Sequence, residues 1–207
     1  MNDQLARLIT IGVASTLILL TAYHRKRARR AVRALSSSGM EVVRLRPEGR
    51  IAWLRAGGIF IWVSLVLYMT EPDWMDWSRL AVPPAVPWLG AALTVASVPA
   101  ILWVLRHLGL NLSSGSAPRA FHQLVKTGPY GWIRHPWYSA LFLFLLGLSL
   151  LWSSWLLALL TATRATYFLA RSRIEEINLV GFFGDSYREY ARRVPKFAPW
   201  PRPRDRR

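Results

Sequence analysis

Apolar residues fall in long runs along this chain, not in the alternating or three-to-four spacing of half-buried elements. Leu5 to Tyr23 is apolar apart from Arg7 near its start, and a helix that crosses a bilayer needs about 20 such residues. Ile51 to Thr70, with Arg55 close enough to its start to snorkel, and Val86 to Leu105 are two more runs of this kind. From Tyr138 to Ala170 the chain is apolar for 33 residues, too long for one crossing. Leu151-Trp-Ser-Ser-Trp155 interrupts it with aromatic and hydroxyl side chains suited to a membrane interface. The pattern predicts an all-α integral membrane protein of about five transmembrane helices, the last two forming a helical hairpin.

Charge changes the picture by giving the spans a direction. The chain has 207 residues with 27 Lys+Arg against 11 Asp+Glu. Residues 24–50, 106–137 and 171–207 together hold 23 of the 27 basic residues, and five spans place all three segments on one side. Residues 71–85 carry Glu71, Asp73 and Asp76 against Arg79 alone. The positive-inside rule then puts the N-terminus outside and both the 106–137 loop and the C-terminal tail in the cytoplasm, as in a multi-pass protein of a bacterial inner membrane. A secretory signal would carry its positive charge before the apolar core, whereas here HRKRARRAVR follows it, so the first run reads as an uncleaved span. The excess charge is a topology signal with a secondary attraction to anionic membrane lipids. No groove-reading motif accompanies it, so nucleic acid is not an expected partner. The chain has no Cys, which removes disulfides, thiolate metal sites and cysteine nucleophiles, and no metal is expected.

The chain divides into a three-span membrane region over 1–105, a region of concentrated chemistry over 106–200, and a Pro- and Arg-rich tail over 201–207 that is expected to be disordered. Connections between helices usually run about 2–8 residues, so the long polar stretch between spans three and four needs a reason. Gly128-Pro129 breaks the chain, and Pro136 biases His135 out of helical conformation while suiting the first turn of the next helix. His135 then sits at the start of span four, where unpaired N–H groups and the helix dipole favour an anion. Arg134 and a ring N–H of His135 add to that site, which suits a carboxylate-bearing ligand. Alternatively, His135 is a helix-entry residue and Arg134 a lipid-headgroup anchor. Beyond span five, Arg171 and Glu175 are four residues apart on one helix face, which is either a surface ion pair or part of a site at the membrane boundary. Arg164, one heptad earlier and inside the apolar run, either lines an acceptor path or snorkels. Glu176 lies about 100° round the helix. Tyr187 and Tyr190, beyond Gly184, belong to a second amphipathic piece that packs on the membrane face.

GPYGWIRHPWY, preceded by His122-Gln-Leu-Val125 and followed by RxRxEE and FFGDSYREYARRVPKF, resembles the isoprenylcysteine carboxyl methyltransferase family and its bacterial relatives, close also to phospholipid methyltransferases. The resemblance covers about residues 106–200, and several motifs in order at matching spacing make it specific. It implies a five-span membrane enzyme that uses S-adenosylmethionine, with a cytoplasmic cofactor pocket built from the loop and the tail. His122, Gln123, Leu124 and Val125 fall on a cofactor-binding stretch of the family, as do Tyr130 and the run His135, Pro136, Trp137 and Tyr138. Glu175 falls on a cofactor-binding carboxylate, and Arg171 on an arginine of the substrate side, which makes it the candidate catalytic residue. Arg164 joins it as a candidate substrate-binding residue. The eukaryotic enzymes place a cofactor-contacting Gln seven residues before the position of His122, and here that place is Gly115.

The chemistry of the cofactor agrees with these residue types. S-adenosylmethionine presents a carboxylate, an ammonium, a ribose diol, an adenine and a sulfonium. Its site therefore needs an anion hole, a carboxylate and flat apolar surfaces, which His135, Glu175 and the rings of Tyr130, Trp137 and Tyr138 supply. No Rossmann-type Gly-rich turn is present. A carboxylate acceptor is already ionised at neutral pH and needs no general base, whereas an amine acceptor must lose a proton, with only Glu176 and His122 as candidate bases. The expected function is methyl transfer to a lipophilic acceptor entering from the bilayer, foremost the carboxylate of a prenylated cysteine. A phospholipid amine or another small lipophilic acceptor is the alternative within enzymes, and a non-catalytic lipid-binding membrane protein the alternative outside them.

Overall fold

The computed structural model describes residues 1–36, 56–109 and 123–199. Within them the chain is all-helical, with no strand beyond an isolated bridge between Arg79 and Ser154. The elements are α1 (Asp3–Ser36), α2 (Ala56–Thr70), a 3-10 segment (Pro72–Ser78), α3 (Ala85–Leu108), a 3-10 turn (Gly128–Gly131), α4 (Pro136–Leu151), α5 (Trp155–Phe183) and α6 (Asp185–Arg193). His122, Arg55, Gly115 and the 201–207 tail, all singled out in the sequence, lie outside the described residues.

The apolar runs become helices, and two of these are long and apolar enough to cross a membrane: Asp3–Ala31 and Ala85–Leu108. Gly58–Thr70 and Pro136–Leu151 are shorter apolar helices. The basic segment after Tyr23 continues α1 without a break to Ser36, because its Arg and Ala residues are good helix formers and no Gly or Pro intervenes. The interruption at Leu151–Trp155 is the hairpin turn: α4 ends at Leu151, and Ser154 caps α5 by accepting from the Leu157 N–H at 3.2 Å.

Helices α3 and α4 meet backbone to backbone. A Cβ on Gly90 would stand 2.2 Å from the Leu151 nitrogen, and one on Gly147 would stand 2.6 Å from the Thr94 nitrogen. Small residues let helices approach this closely where apolar surroundings give no hydrophobic gain for association. The core around them holds Leu65, Tyr68, Ile101, Leu105, Phe144, Leu148 and Trp152.

Buried hydroxyls at this end of the bundle are paired, as an apolar interior demands. Ser149 Oγ and Thr161 Oγ1 lie 3.0 Å apart across the hairpin, Trp152 Nε1 donates to Thr10 Oγ1 at 3.1 Å, and the Tyr68 hydroxyl meets Ser78 Oγ at 2.5 Å. Arg79 clamps Asp3 through two N–H groups at 3.1 and 2.7 Å. The N-terminus of α1, the 3-10 segment and the hairpin turn thus share one end. The opposite end holds the start of α4, the distal half of α5, and α6.

Gly128 opens the turn that leads to that second end. Its φ is +59°, and a Cβ there would fall 2.3 Å from the His107 ring at the end of α3. Replacing Gly147 by Leu should drive the α3 and α4 backbones apart and cost about 3 kcal/mol, read as a lower Tm in detergent. Gly12→Leu, where a Cβ meets nothing within 4 Å, should leave Tm unchanged.

Candidate active site

Where α5 leaves its apolar half, residues four apart line one face. Arg171 Nε donates to Glu175 Oε1 at 3.1 Å, and its Nη1 donates to the Tyr167 hydroxyl at 2.7 Å. From α4 the Tyr138 hydroxyl donates to the same Glu175 oxygen at 2.6 Å. The Arg171 and Glu175 side chains are only 19% and 23% exposed, so this is not the solvated surface pair that the spacing alone permits. Glu175 Oε2 stands 3.8 Å from His135 Nδ1, beyond hydrogen-bond distance.

Glu176 turns the other way and gathers a second set. Its Oε1 accepts from Arg134 Nε at 3.0 Å and lies 3.1 Å from His135 Nε2, while Oε2 accepts from Lys196 Nζ at 3.1 Å. Burial alone would raise this carboxyl. Hydrogen bonds from His135 and Lys196 and the charge of Arg134 outweigh that penalty and bring it down to about 2. Arg134 also donates through Nη1 to the Ala191 and Val194 carbonyls at 2.5 and 2.7 Å, capping the end of α6. The chain then crosses the start of α4. The Arg134 N–H donates to the Pro195 carbonyl at 2.8 Å, the His135 N–H to that of Lys196 at 3.0 Å, and Ser139 Oγ to that of Phe197 at 2.6 Å.

His135 occupies the N-cap position of α4, as Pro136 requires, yet its side chain makes no cap hydrogen bond. Arg134 and His135 do reach an anion, but it is the chain's own Glu176. With 11% of its side chain exposed, its Nε directed to Glu176 and its Nη1 to the end of α6, Arg134 is turned into the protein and is poorly placed as a headgroup anchor. Glu176 is equally unsuited to be a base, because a carboxylate held near 2 by three donors binds a proton poorly at neutral pH.

The rings form a ladder. His135 stacks on Tyr138 at 5.7 Å and Tyr138 on Phe168 at 5.0 Å, with Phe197 against the far side of His135 at 5.5 Å. At the other end the Arg164 guanidinium lies 4.5 and 5.3 Å from the centroids of Tyr167 and Phe168. It also abuts α2, where a Cβ on Gly58 would be 3.4 Å from Arg164 Cζ. Two rings, His135 and Phe168, are thus stacked on Tyr138.

The other expected residues surround this cluster. Pro136 is buried at the first position of α4, and Trp137 packs against the rings of Tyr138, Tyr167 and Phe168. Tyr130 lies in the 3-10 turn, where its carbonyl accepts from the Tyr190 hydroxyl at 2.7 Å and burial, then the charge of Glu175, pushes its own hydroxyl up. Leu124 packs with Tyr187 and Tyr190 against α5, so these tyrosines join α6 to the segment that precedes the 3-10 turn. Val125 is half-buried and Gln123 exposed. Sequence reasoning did not single out Tyr167, Phe168, Lys196 or Phe197. For Tyr167 the signal was present, since Tyr167, Arg171 and Glu175 repeat at four-residue spacing.

A helical bundle carrying a half-buried Arg–Glu–Tyr cluster where an apolar helix ends defines the class of site. Residues 90–180 match the model of the isoprenylcysteine carboxyl methyltransferase (ICMT) family, a stretch that contains Tyr138, Tyr167, Arg171, Glu175 and Glu176. A Schizosaccharomyces pombe protein named protein-S-isoprenylcysteine O-methyltransferase is 39% identical over 79 residues, 38% of this chain and 34% of that protein. The Homo sapiens protein of the same name is 38% identical over 80 residues, 38% of this chain and 28% of its own length. YpbQ of Bacillus subtilis is 32% identical over 95 residues, 45% of this chain and 56% of that protein. The match thus spans about a third of the length of the named methyltransferases.

The depressed Glu176 carboxyl has a consequence for stability. Its folded value of about 2 lies below the ordinary 4.5, so the stabilisation it gives is complete above 4.5 and is lost as pH falls through 2. Acid titration of Tm should show the wild type falling across that window. Glu176→Gln should have a lower Tm at pH 7 and a flatter profile between pH 4.5 and 2.

Proposed function

We propose that this chain is a multi-pass membrane methyltransferase, N-terminus outside and site cytoplasmic, that methylates the carboxylate of a prenylcysteine-like acceptor with S-adenosylmethionine. The observation that carries the reading is the meeting of Arg171, Glu175 and Tyr138 inside the segment that matches the family. The names of the fission-yeast and human relatives support the acceptor class. Support for the membrane comes from the two spanning-length helices and from outward-facing side chains such as Leu8, Leu19, Ile59 and Phe60, which are 60–69% exposed.

The residues fit the cofactor's chemistry in part through what they have already spent. Glu175 uses Oε1 on Arg171 and Tyr138, while Oε2 and the facing His135 Nδ1 are too far apart to satisfy each other. A carboxylate with acceptor capacity beside a ring nitrogen suits an ammonium or a ribose hydroxyl. Gln123, Leu124, Val125, Tyr130, Pro136 and Trp137 frame this place, and His122 joins them by resemblance. Tyr138, stacked with His135 and Phe168, holds Glu175 through its hydroxyl. When bound, S-adenosylmethionine would supply a methyl group on a sulfonium: an acceptor oxygen would take that methyl as the carbon–sulfur bond breaks, and S-adenosylhomocysteine would leave as a neutral thioether.

Arg171 is the residue assigned to the acceptor. Its planar guanidinium matches a carboxylate in two parallel hydrogen bonds, and its orientation is fixed by Glu175 and Tyr167. Holding the oxygens in line is the main task, since a carboxylate needs no proton removed. Glu176 is committed to Arg134, His135 and Lys196, which weighs against an amine acceptor that depends on it as base. Arg164, stacked on Tyr167 and Phe168 within the apolar part of α5, is assigned to the same path one heptad deeper.

Two variants in detergent-purified protein test the assignment. Glu175→Gln should weaken calorimetric binding of S-adenosylmethionine about tenfold or more, by loss of a charge-assisted contact. Arg171→Ala should lower turnover of a farnesylcysteine analogue about 100-fold while cofactor affinity stays within about threefold. The reverse pattern would place Arg171 with the cofactor.

A further inference from the structure

The polar face of α5 continues one turn past Glu175 to a residue that the reading above does not use. Asn178 is three residues beyond Glu175 and seven beyond Arg171, so at 3.6 residues per turn it shares their side of the helix. It is 4% exposed, and its Nδ2 is buried without a hydrogen-bond partner among the described residues. The other buried polar side chains of α5, Thr161 and Ser172, each have one: Thr161 Oγ1 meets Ser149 Oγ at 3.0 Å, and Ser172 Oγ donates to the Leu169 carbonyl at 2.8 Å. A native chain rarely buries an amide donor it does not use, and an apolar residue of the same shape would avoid the penalty.

We infer that Asn178 is a cofactor-binding residue whose side-chain N–H is matched by an acceptor on the adenosyl part of the bound cofactor. The inference deepens the methyltransferase reading and rests on it. Along the helix axis Asn178 stands about 4.5 Å from Glu175, three residues at 1.5 Å each. An acceptor carboxylate and a donor amide one turn apart complement a ligand edge that carries a donor and an acceptor side by side. A ribose hydroxyl pair or the amino and ring-nitrogen edge of an adenine is such an edge. Glu175 alone would take an ammonium equally well, and the adjacent donor selects the nucleoside. Tyr130, whose hydroxyl feels the Glu175 charge, is tied to α6 by the Tyr190 hydroxyl, which donates to its carbonyl at 2.7 Å.

A donor kept for a ligand makes opposite predictions for the free and the bound protein. Asn178→Leu keeps the branching and removes the amide. Melted without ligand, it should match or exceed the wild-type Tm, because no intramolecular hydrogen bond is lost. Titrated calorimetrically with S-adenosylhomocysteine, it should bind about tenfold more weakly, and 5′-methylthioadenosine should lose a similar factor because it retains the adenosyl part. Asn178→Ala gives a second, smaller replacement with the same expected loss of affinity. A lower Tm in both variants with unchanged affinity would overturn the inference and make Asn178 a structural residue. If S-adenosylhomocysteine loses affinity and methylthioadenosine does not, the amide serves the amino-acid end and the nucleoside assignment is wrong. Wild-type protein that is folded but binds neither ligand would bring down the methyltransferase reading itself, a result separate from a wild type that binds and a variant that binds equally.

Discussion

A carboxylate drawn out of water has to be matched by donors, and two carboxylates in adjacent positions must find them in different directions. Glu175 and Glu176 project about 100° apart from α5, so one meets α4 and the other meets the chain on either side of it. The donors that satisfy Glu176 are Arg134 and His135, which lead into α4, and Lys196, which follows α6. Pairing it therefore fixes where α4 begins and where the returning tail crosses. That crossing is then secured by main-chain bonds from Arg134 and His135 to Pro195 and Lys196. With the entry to α4 held, Tyr138 is brought one turn further on to Glu175, and the cluster that we assign to chemistry takes its shape from a neighbour that does none.

The helices were legible because long apolar runs admit few readings, although only two of them, Asp3–Ala31 and Ala85–Leu108, prove long and apolar enough to cross a membrane. Pro136 and the Leu151–Trp155 interruption marked where α4 and α5 begin, since Pro suits a first helical turn and Ser154 an N-cap. Tertiary closeness was not legible. Gly90 and Gly147 look like ordinary glycines of apolar helices until α3 and α4 are laid together and leave no room for a Cβ. The family match likewise begins at residue 90, inside α3, so the helix that supports α4 is part of the matched unit.

Spacing along one helix carried further than contacts between segments. Arg171 and Glu175 could be paired from their four-residue separation, and the same rule extends to Tyr167. Glu176 could not be resolved that way, because Arg134, His135 and Lys196 stand 42, 41 and 20 residues away. It was, with His122, one of two candidate bases for an amine acceptor, and the three donors around it came into view only with the fold. Tyr138 was expected to offer a flat face. Its residue type gave no sign that Phe168 of α5 would stack on it, since a stacking partner from a separate segment leaves no periodic trace.

The placement of charge along α5 bears on what kind of acceptor can be handled. Arg164 lies within the apolar half, and Arg171 sits where that half ends, seven residues or about 10 Å further along the axis. Arg171 is oriented by Glu175 and Tyr167, so a guanidinium in fixed orientation stands where the apolar half of the helix ends. An amphiphile with an anionic head matches that profile, because its tail remains in apolar surroundings while its carboxylate meets the guanidinium. A cationic head would meet the same guanidinium as a like charge, and Glu176, already held by Arg134, His135 and Lys196, is poorly placed to take its proton. The order of side chains along α5 is thus the ground on which we propose a lipophilic acid as acceptor, and it is a ground independent of any relative's name.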